Sequence, residues 1–293
     1  MLFTTLAPSG ILACALLALA VAFGHLDEKG RARLAHAAAI PLVASMVGLV
    51  ASATHLGTPA NALYALTGVG RSPLSNEVAC TVAFLTLGGL HWLYSFSPHV
   101  HRRLQQAWCA AVAASGAAAV ASIGFACSAP TIVTRSHWSV PPALGFSAVG
   151  GAPLIAGFTA RAARLDVRAA LTWLLFGCGL AGLLGALTCL GLEWGWLREA
   201  ANALGPLAER AGGFPALAAA YGAAGLLAYA VAGAAIVRGR RRNARAPGLS
   251  TQSQGLYGLY GERPNGPILD SCLKRAGLLR DSGLKRGAHE VLP

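Results

Sequence analysis

The sequence predicts an all-α integral membrane protein, a helical bundle with seven spans. Three observations predict it. Of 293 residues, 55% are hydrophobic and only 12% are charged, with a mean hydropathy of +0.55. A soluble globular domain carries about 25% charge, so much of this surface must face lipid. Several apolar runs reach the roughly 20 residues that a span needs. These runs are continuous rather than alternating, and of the two closed solutions in lipid, helix and barrel, that favours the helix. The same composition excludes disorder, which requires low hydrophobicity.

The first span runs from Pro8 to Leu26. No Lys or Arg precedes Lys29, so the charged start of a secretory signal is missing. The stretch is therefore read as a true span, with Cys14 a small apolar residue. The second runs from Leu34 to Thr54 and the third from Pro73 to Ser97. Ser72 suits the N-cap of the third and Pro73 its first helical position. The fourth, Trp108 to Ser128, contains the small-residue run Ala113-Ala114-Ser115-Gly116-Ala117-Ala118-Ala119, which lets backbones approach closely. The fifth covers Pro141–Ala160, the sixth Ala169–Leu192 and the seventh Phe214–Val237. The protein thus divides into a transmembrane bundle, residues 1–237, and a hydrophilic basic tail, residues 238–293. The tail is rich in Gly, Arg, Lys, Ser and Pro, and its repetition of Gly and Tyr from Gly255 to Gly261 reads as flexible.

A net charge of +12 would suggest nucleic acid in a soluble protein. Here the placement of the charge matters more than its sum. Residues 238–293 contribute +7 and the body +5. Lys29, Arg31 and Arg33 follow span one, Arg102 and Arg103 follow span three, and Arg161, Arg164 and Arg168 follow span five. A further cluster begins at Arg238. By the positive-inside rule these segments are cytoplasmic. The N-terminus and the loops holding Arg71, Arg135 and Arg198–Arg210 are then outside.

The seven cysteines contain no Cys-x-x-Cys pair, so neither a zinc site nor an iron–sulfur cluster is indicated. Within spans, cysteine behaves as a small hydrophobe. No dinucleotide fingerprint, Walker loop or zinc-protease motif occurs.

Ionisable groups inside a membrane are costly and mark function. The body holds only seven acids: Asp27, Glu28, Glu77, Asp166, Glu193, Glu199 and Glu209. Most fall in loops, and Glu193 falls at a span end, where an acid costs little. Glu77 differs. It lies about one turn inside span three, roughly 6 Å along the axis, and an apolar run from Val78 to Leu85 follows it. One reading is a cap that uses the dipole at the helix N-terminus. The other is a proton-handling carboxylate at the membrane edge. His55 ends span two on the same outer face, where Gly57 and Pro59 break the helix. Alone it fits a helix-end residue. Together, a histidine and a carboxylate can hydrogen-bond both states of a quinone head group and move its protons. Arg71, Ser75 and Asn76 approach the same mouth.

The run Ala51-Ser52-Ala53-Thr54-His55-Leu56-Gly57-Thr58-Pro59, then Ala62, Leu66 and Arg71-Ser72-Pro73-Leu74-Ser75-Asn76-Glu77, resembles the membrane anchor subunit of dimethyl sulfoxide reductase. The family pattern is approximately His-Leu-Gly-x-Pro, a short amphipathic stretch, then Ser-x-Leu-Ser-x-Glu. Leu144-Gly145-Phe146 and Gly150-Gly151-Ala152-Pro153-Leu154 are a second likeness. The resemblance implies an anchor that holds a molybdopterin catalytic subunit and an iron–sulfur electron-transfer subunit at a bacterial cytoplasmic membrane. It implies binding and oxidation of menaquinol, with electrons passing to the iron–sulfur partner. It implies no haem, iron–sulfur cluster or molybdopterin in this protein. By position His55 and Glu77 match the family's quinol site, with Glu77 the catalytic group and Arg71, Ser75 and Asn76 its neighbours. The family usually has eight spans, the last with an acid–glycine–arginine pattern. Residues 238–293 depart from that pattern.

Two other readings compete. A quinol oxidoreductase subunit with haem b would need axial histidines within the bundle, and His36 and His91 both fall toward the inner side. A small-molecule transporter would show internal repeats and polar residues at mid-membrane. No convincing repeat relates the two halves, and the span centres are almost free of charge.

Overall fold

The computed structural model describes residues 2–53, 67–128, 136, 138–165, 167–202, 205, 206, 209 and 211–245. Helices dominate: α1 Leu2–Phe23, α2 Glu28–Ala37, α3 Ala39–Ala53, α4 Pro73–Tyr94, α5 Arg102–Cys127, α6 Val140–Ala162, α7 Ala169–Glu199 and α8 Phe214–Arg245. A two-residue antiparallel ladder, β1 Ala201–Asn202 with β2 Gly205–Pro206, follows α7. Among the described residues six helical stretches are long and apolar enough to cross a membrane: Thr5–Phe23, Glu28–Ala51, Arg102–Cys127, Val140–Ala162, Ala169–Glu199 and Phe214–Gly239. The molecule is a multi-pass helical membrane protein. The seventh expected span is α4. Its 22 residues reach about 33 Å at 1.5 Å per residue, and Asn76, Glu77 and His91 interrupt its apolar sequence.

Several boundaries differ from the apolar runs. Span two is two helices that meet at Ala38. Pro41 lacks the N–H that would bond the Ala37 carbonyl, and its ring crowds that carbonyl. Asp27 caps α2, accepting from the Gly30 N–H at 3.2 Å. The α5 helix starts at Arg102, six residues before the apolar run, because Arg102 and Gln106 have work at the end of α1. Arg102 donates to the carbonyls of Val21 and Ala22, and Gln106 donates to Ala22. These are carbonyls that a helix C-terminus leaves unpaired. The α7 helix runs through Glu199, and its 31 residues extend about 46 Å, well beyond a ~30 Å hydrocarbon core. The α8 helix continues past Val237 into the arginine cluster.

The molecule divides into two compact units, residues 1–234 and 235–293. Of the second unit, the described part is the last stretch of α8, Ala235–Arg245. The flexible tail expected beyond it lies outside the described residues. In the first unit α1 is central, packing on α3, α5 and α6, while α6 packs on α7 and α4 on α5. Ile11, Val21, Phe84, Val112 and Ile123 are almost fully buried there. Small residues set the closest approaches, as expected of helices packed in lipid. A methyl group added to Gly182 would lie 2.6 Å from the Gly150 nitrogen, and one added to Gly48 would lie 2.5 Å from the Ala7 nitrogen. Polar links cross the same interior: Ser9 Oγ donates to the Ser147 carbonyl at 3.2 Å, and Tyr221 to Ser147 Oγ at 3.2 Å. Tyr229 donates to the Gly150 carbonyl at 2.5 Å. Leu217, Leu226, Leu227 and Val231 of α8 are exposed, which suits a lipid-facing helix.

Basic residues gather as the charge pattern requires. At the end of the bundle where α1 finishes, Arg33 donates to the Arg164 carbonyl at 3.5 Å, and Arg102 reaches α1.

Candidate functional site

The site begins with a turn. The Gly68 carbonyl accepts from the N–H groups of Arg71 and Ser72, both at 3.0 Å. Gly70 has φ +84°, which glycine adopts without steric cost. Its N–H donates to Asn76 Oδ1 at 2.7 Å. Pro73 takes the first helical position of α4, as expected, but Ser72 at the N-cap makes no capping bond through its hydroxyl. Asn76, inside the helix, instead holds the preceding turn through the Gly70 N–H.

The five residues proposed from sequence are treated unequally. Glu77 is buried, with 8% of its surface exposed, and Ser75 is buried at 5%. Ser75 packs against the turn: a methyl group on Gly68 would meet Ser75 Oγ at 2.6 Å. The oxygen of Asn76 is spent on Gly70. Arg71 is exposed. His55 lies outside the described residues, as do Asn61 and Tyr64. The pairing of His55 with Glu77 is therefore not part of the described geometry. At the start of α4 the Glu77 side chain is buried rather than displayed at the surface, and among the described residues it forms no ion pair.

Glu77 belongs to a stripe. Glu77, Thr81, Phe84, Gly88 and His91 are all buried, and their four-three-four-three spacing places them on one helical face. This face packs on α5. Phe84 lies against the position of Gly116, and His91 Nε2 lies 3.2 Å from Cys109 Sγ. Trp108 Nε1 donates to the Leu87 carbonyl at 3.0 Å, and the Trp108 ring stacks on Tyr94 with centroids 5.7 Å apart. The result is a carboxylate near the N-terminal end of α4 and a histidine near its C-terminal end, joined by an almost apolar wall.

His36 and His91, the candidate haem ligands, have other partners. The Nε2 of His36 is 3.0 Å from the Ser95 carbonyl, its ring stacks on Phe96 at 4.3 Å, and its own carbonyl accepts from Trp92 Nε1 at 2.9 Å. The Nε2 of His91 is engaged by Cys109. This geometry gives both rings to helix packing. Among the described residues no group of three or more His, Cys, Asp or Glu is arranged to hold a metal ion.

One acid corrects the sequence reading outright. Glu193 is not a cheap helix-end residue. It lies inside α7 with 4% exposure. Its carboxylate accepts from the Ser136 N–H at 2.9 Å, from Ser136 Oγ at 2.6 Å and from Ser139 Oγ. These bonds tie the segment before α6 to α7 and satisfy a buried charge. The apolar run ending at Leu192 concealed this, because α7 continues to Glu199, about two more turns. Sequence reasoning also missed Thr81, although its position four residues after Glu77 was a usable signal, and the His91–Cys109 pair, which nothing local in the sequence indicates.

Fold and charge placement define a helical bundle embedded in a membrane, with a buried acid near one end. Residues 1–133 match the family model of the DMSO reductase anchor subunit (DmsC). That region contains the whole stretch from Ala51 to Glu77, so the resemblance carried by that motif holds; the second likeness, at Leu144–Leu154, falls beyond the match. Among curated proteins, this one is 31% identical over 119 residues to the YnfH subunit of an anaerobic dimethyl sulfoxide reductase of Escherichia coli strain K12, covering 41% of the present sequence and 42% of that one. It is 35% identical over 92 residues to the C subunit of the anaerobic dimethyl sulfoxide reductase of the same strain, covering 31% and 32%. It is 32% identical over 106 residues to the corresponding C subunit of Haemophilus influenzae, covering 36% and 38%. The match thus spans less than half the length of each relative. No solved structure matches the protein.

Proposed function

We propose that this protein is the membrane anchor subunit of a molybdopterin-type anaerobic reductase, and that it binds and oxidises menaquinol. The buried Glu77 carries the reading. It is a carboxylate near the membrane edge, set in an apolar helix face, within the stretch that matches the anchor family. Placing an acid there is costly, and among the described residues no ion pair offsets it.

Oxidation of menaquinol breaks two O–H bonds, forms two carbonyls, and releases two protons and two electrons. Glu77 accepts a proton from one head-group oxygen and passes it to the outer side. His55 hydrogen-bonds the other oxygen, accepts the second proton on the acceptor nitrogen of its neutral imidazole, and passes it to the outer side as well. Ser75, Asn76 and Arg71 shape the entrance, Asn76 by holding the turn at Gly70. The two electrons go to an iron–sulfur partner subunit and from there to the molybdopterin catalytic subunit. Both partners dock on the outer face of the bacterial cytoplasmic membrane, on which the N-terminus also lies. The terminal acceptor is chosen by the catalytic subunit.

Purification from the native membrane in mild detergent tests this assignment. An iron–sulfur protein and a molybdopterin protein are expected to accompany the anchor, in fixed ratio, with molybdenum and iron in the purified complex. Isolation of the anchor alone under conditions that preserve other membrane complexes contradicts it.

A further inference from the structure

We propose that the Thr81 hydroxyl is a second polar contact for the head group of the bound quinol, one helical turn deeper than Glu77. The inference rests on the quinol reading above and extends it to a residue that neither the motif nor the family match singles out.

Thr81 is 6% exposed, and its Oγ1 is buried without a hydrogen-bond partner among the described residues. Other helical hydroxyls in the protein behave differently. Thr159 donates to the Ile155 carbonyl at 2.8 Å, Thr172 to Arg168 at 3.2 Å, and Thr188 to Leu184 at 3.0 Å. Ser45 donates to the Pro41 carbonyl at 2.8 Å. Each takes the carbonyl four residues back, the usual local solution in a helix. For Thr81 that acceptor would be the Glu77 carbonyl, and the bond is not made. A buried hydroxyl left unpaired is destabilising, and such groups are rare enough in folded proteins to need a reason.

Among the described residues the surroundings supply no other protein partner. The α4–α5 packing brings His91 to Cys109 and Phe84 beside Gly116. The same antiparallel register sets Thr81 level with Ala119 and Glu77 level with Ile123, both fully buried apolar residues. Glu77 and Thr81 lie on one face, about 6 Å apart along the axis, a separation comparable to the width of a quinol ring. A hydroxyl both donates and accepts. It therefore accepts from the quinol O–H and donates to the quinone carbonyl without changing its own state. Glu77 takes the proton, and Thr81 holds the ring through the change.

The test uses the full-length protein in mild detergent, titrated with menadione, the naphthoquinone head group without its tail. The wild type is expected to bind and Glu77→Gln to bind more weakly. Thr81→Val, which keeps the shape and removes the hydroxyl, is expected to weaken binding about tenfold while leaving thermal stability equal or higher, because an unpaired hydroxyl has gone. Thr81→Ser is expected to bind within about twofold of wild type. Unchanged affinity in Thr81→Val, with Glu77→Gln still weakened, overturns the role of Thr81 and leaves the quinol reading standing. Loss of both stability and binding in Thr81→Val, unrelieved in Thr81→Ser, assigns the residue to packing and also overturns it. Absence of menadione binding by the wild type overturns both readings.

Discussion

The imidazole of His91 lies with Nε2 3.2 Å from Sγ of Cys109, both side chains buried between α4 and α5. The helix that bears Glu77 is thereby fixed near its C-terminal end by a polar bond to α5, reinforced by Trp108 on the Leu87 carbonyl. Most of the packing on α4 comes from α5, so this bond helps to set where the carboxylate sits. A double-mutant cycle on His91→Leu and Cys109→Ala measures it. Interhelical hydrogen bonds in membranes contribute about 0.6 kcal/mol on average and up to about 1.7. A coupling energy in that range is expected, with each single change lowering thermal stability. Additive effects of the two changes would show that the bond does not tie the helices.

Glu193→Gln tests the second polar lock. The carboxylate accepts from Ser136 N–H, Ser136 Oγ and Ser139 Oγ. An amide presents an N–H₂ group where one acceptor oxygen stood, leaving buried donors unsatisfied at a cost of about 1–3 kcal/mol. Thermal unfolding in detergent is expected to shift downward, and protease cleavage in the connection between α5 and α6 to accelerate. Unchanged unfolding and cleavage would make the lock incidental.

His55→Arg bears on the quinol mouth. If His55 hydrogen-bonds the head group, the larger and permanently charged side chain weakens the binding of quinone-like inhibitors about tenfold or more, with membrane insertion intact. Inhibitor titration of isolated membranes reads the change. Wild-type affinity would reduce His55 to a helix-end residue.

How much of this was legible in the sequence depends on distance along the polypeptide. The spans were legible because lipid imposes long apolar runs, and each of the seven stretches is helical over most of its described length. Their ends were less so. The break at Ala38 depends on where Pro41 falls against the Ala37 carbonyl. The early start of α5 depends on Arg102 finding the far end of α1, a contact distant in sequence. Glu77 stood out because it lies inside a span with an apolar run directly after it, and its burial agrees with that prominence. Glu193 misled because the run ended one residue before it, and its serine partners, Ser136 and Ser139, come from before α6. Arg71 and Asn76 are close to Glu77 in sequence, yet one faces outward and the other bonds the turn. Proximity along a helix does not decide which face a side chain takes.

The most direct test of the central claim is menaquinol-driven turnover by the intact complex carrying Glu77→Gln. Glutamine preserves size and hydrogen bonding but neither accepts nor passes a proton. The account predicts that quinol-dependent electron transfer is lost, while the anchor still inserts into the membrane, still co-purifies with its partner subunits, and an artificial donor that reduces the catalytic subunit directly still supports turnover. Menaquinol oxidation at the wild-type rate by the Glu77→Gln complex would contradict it.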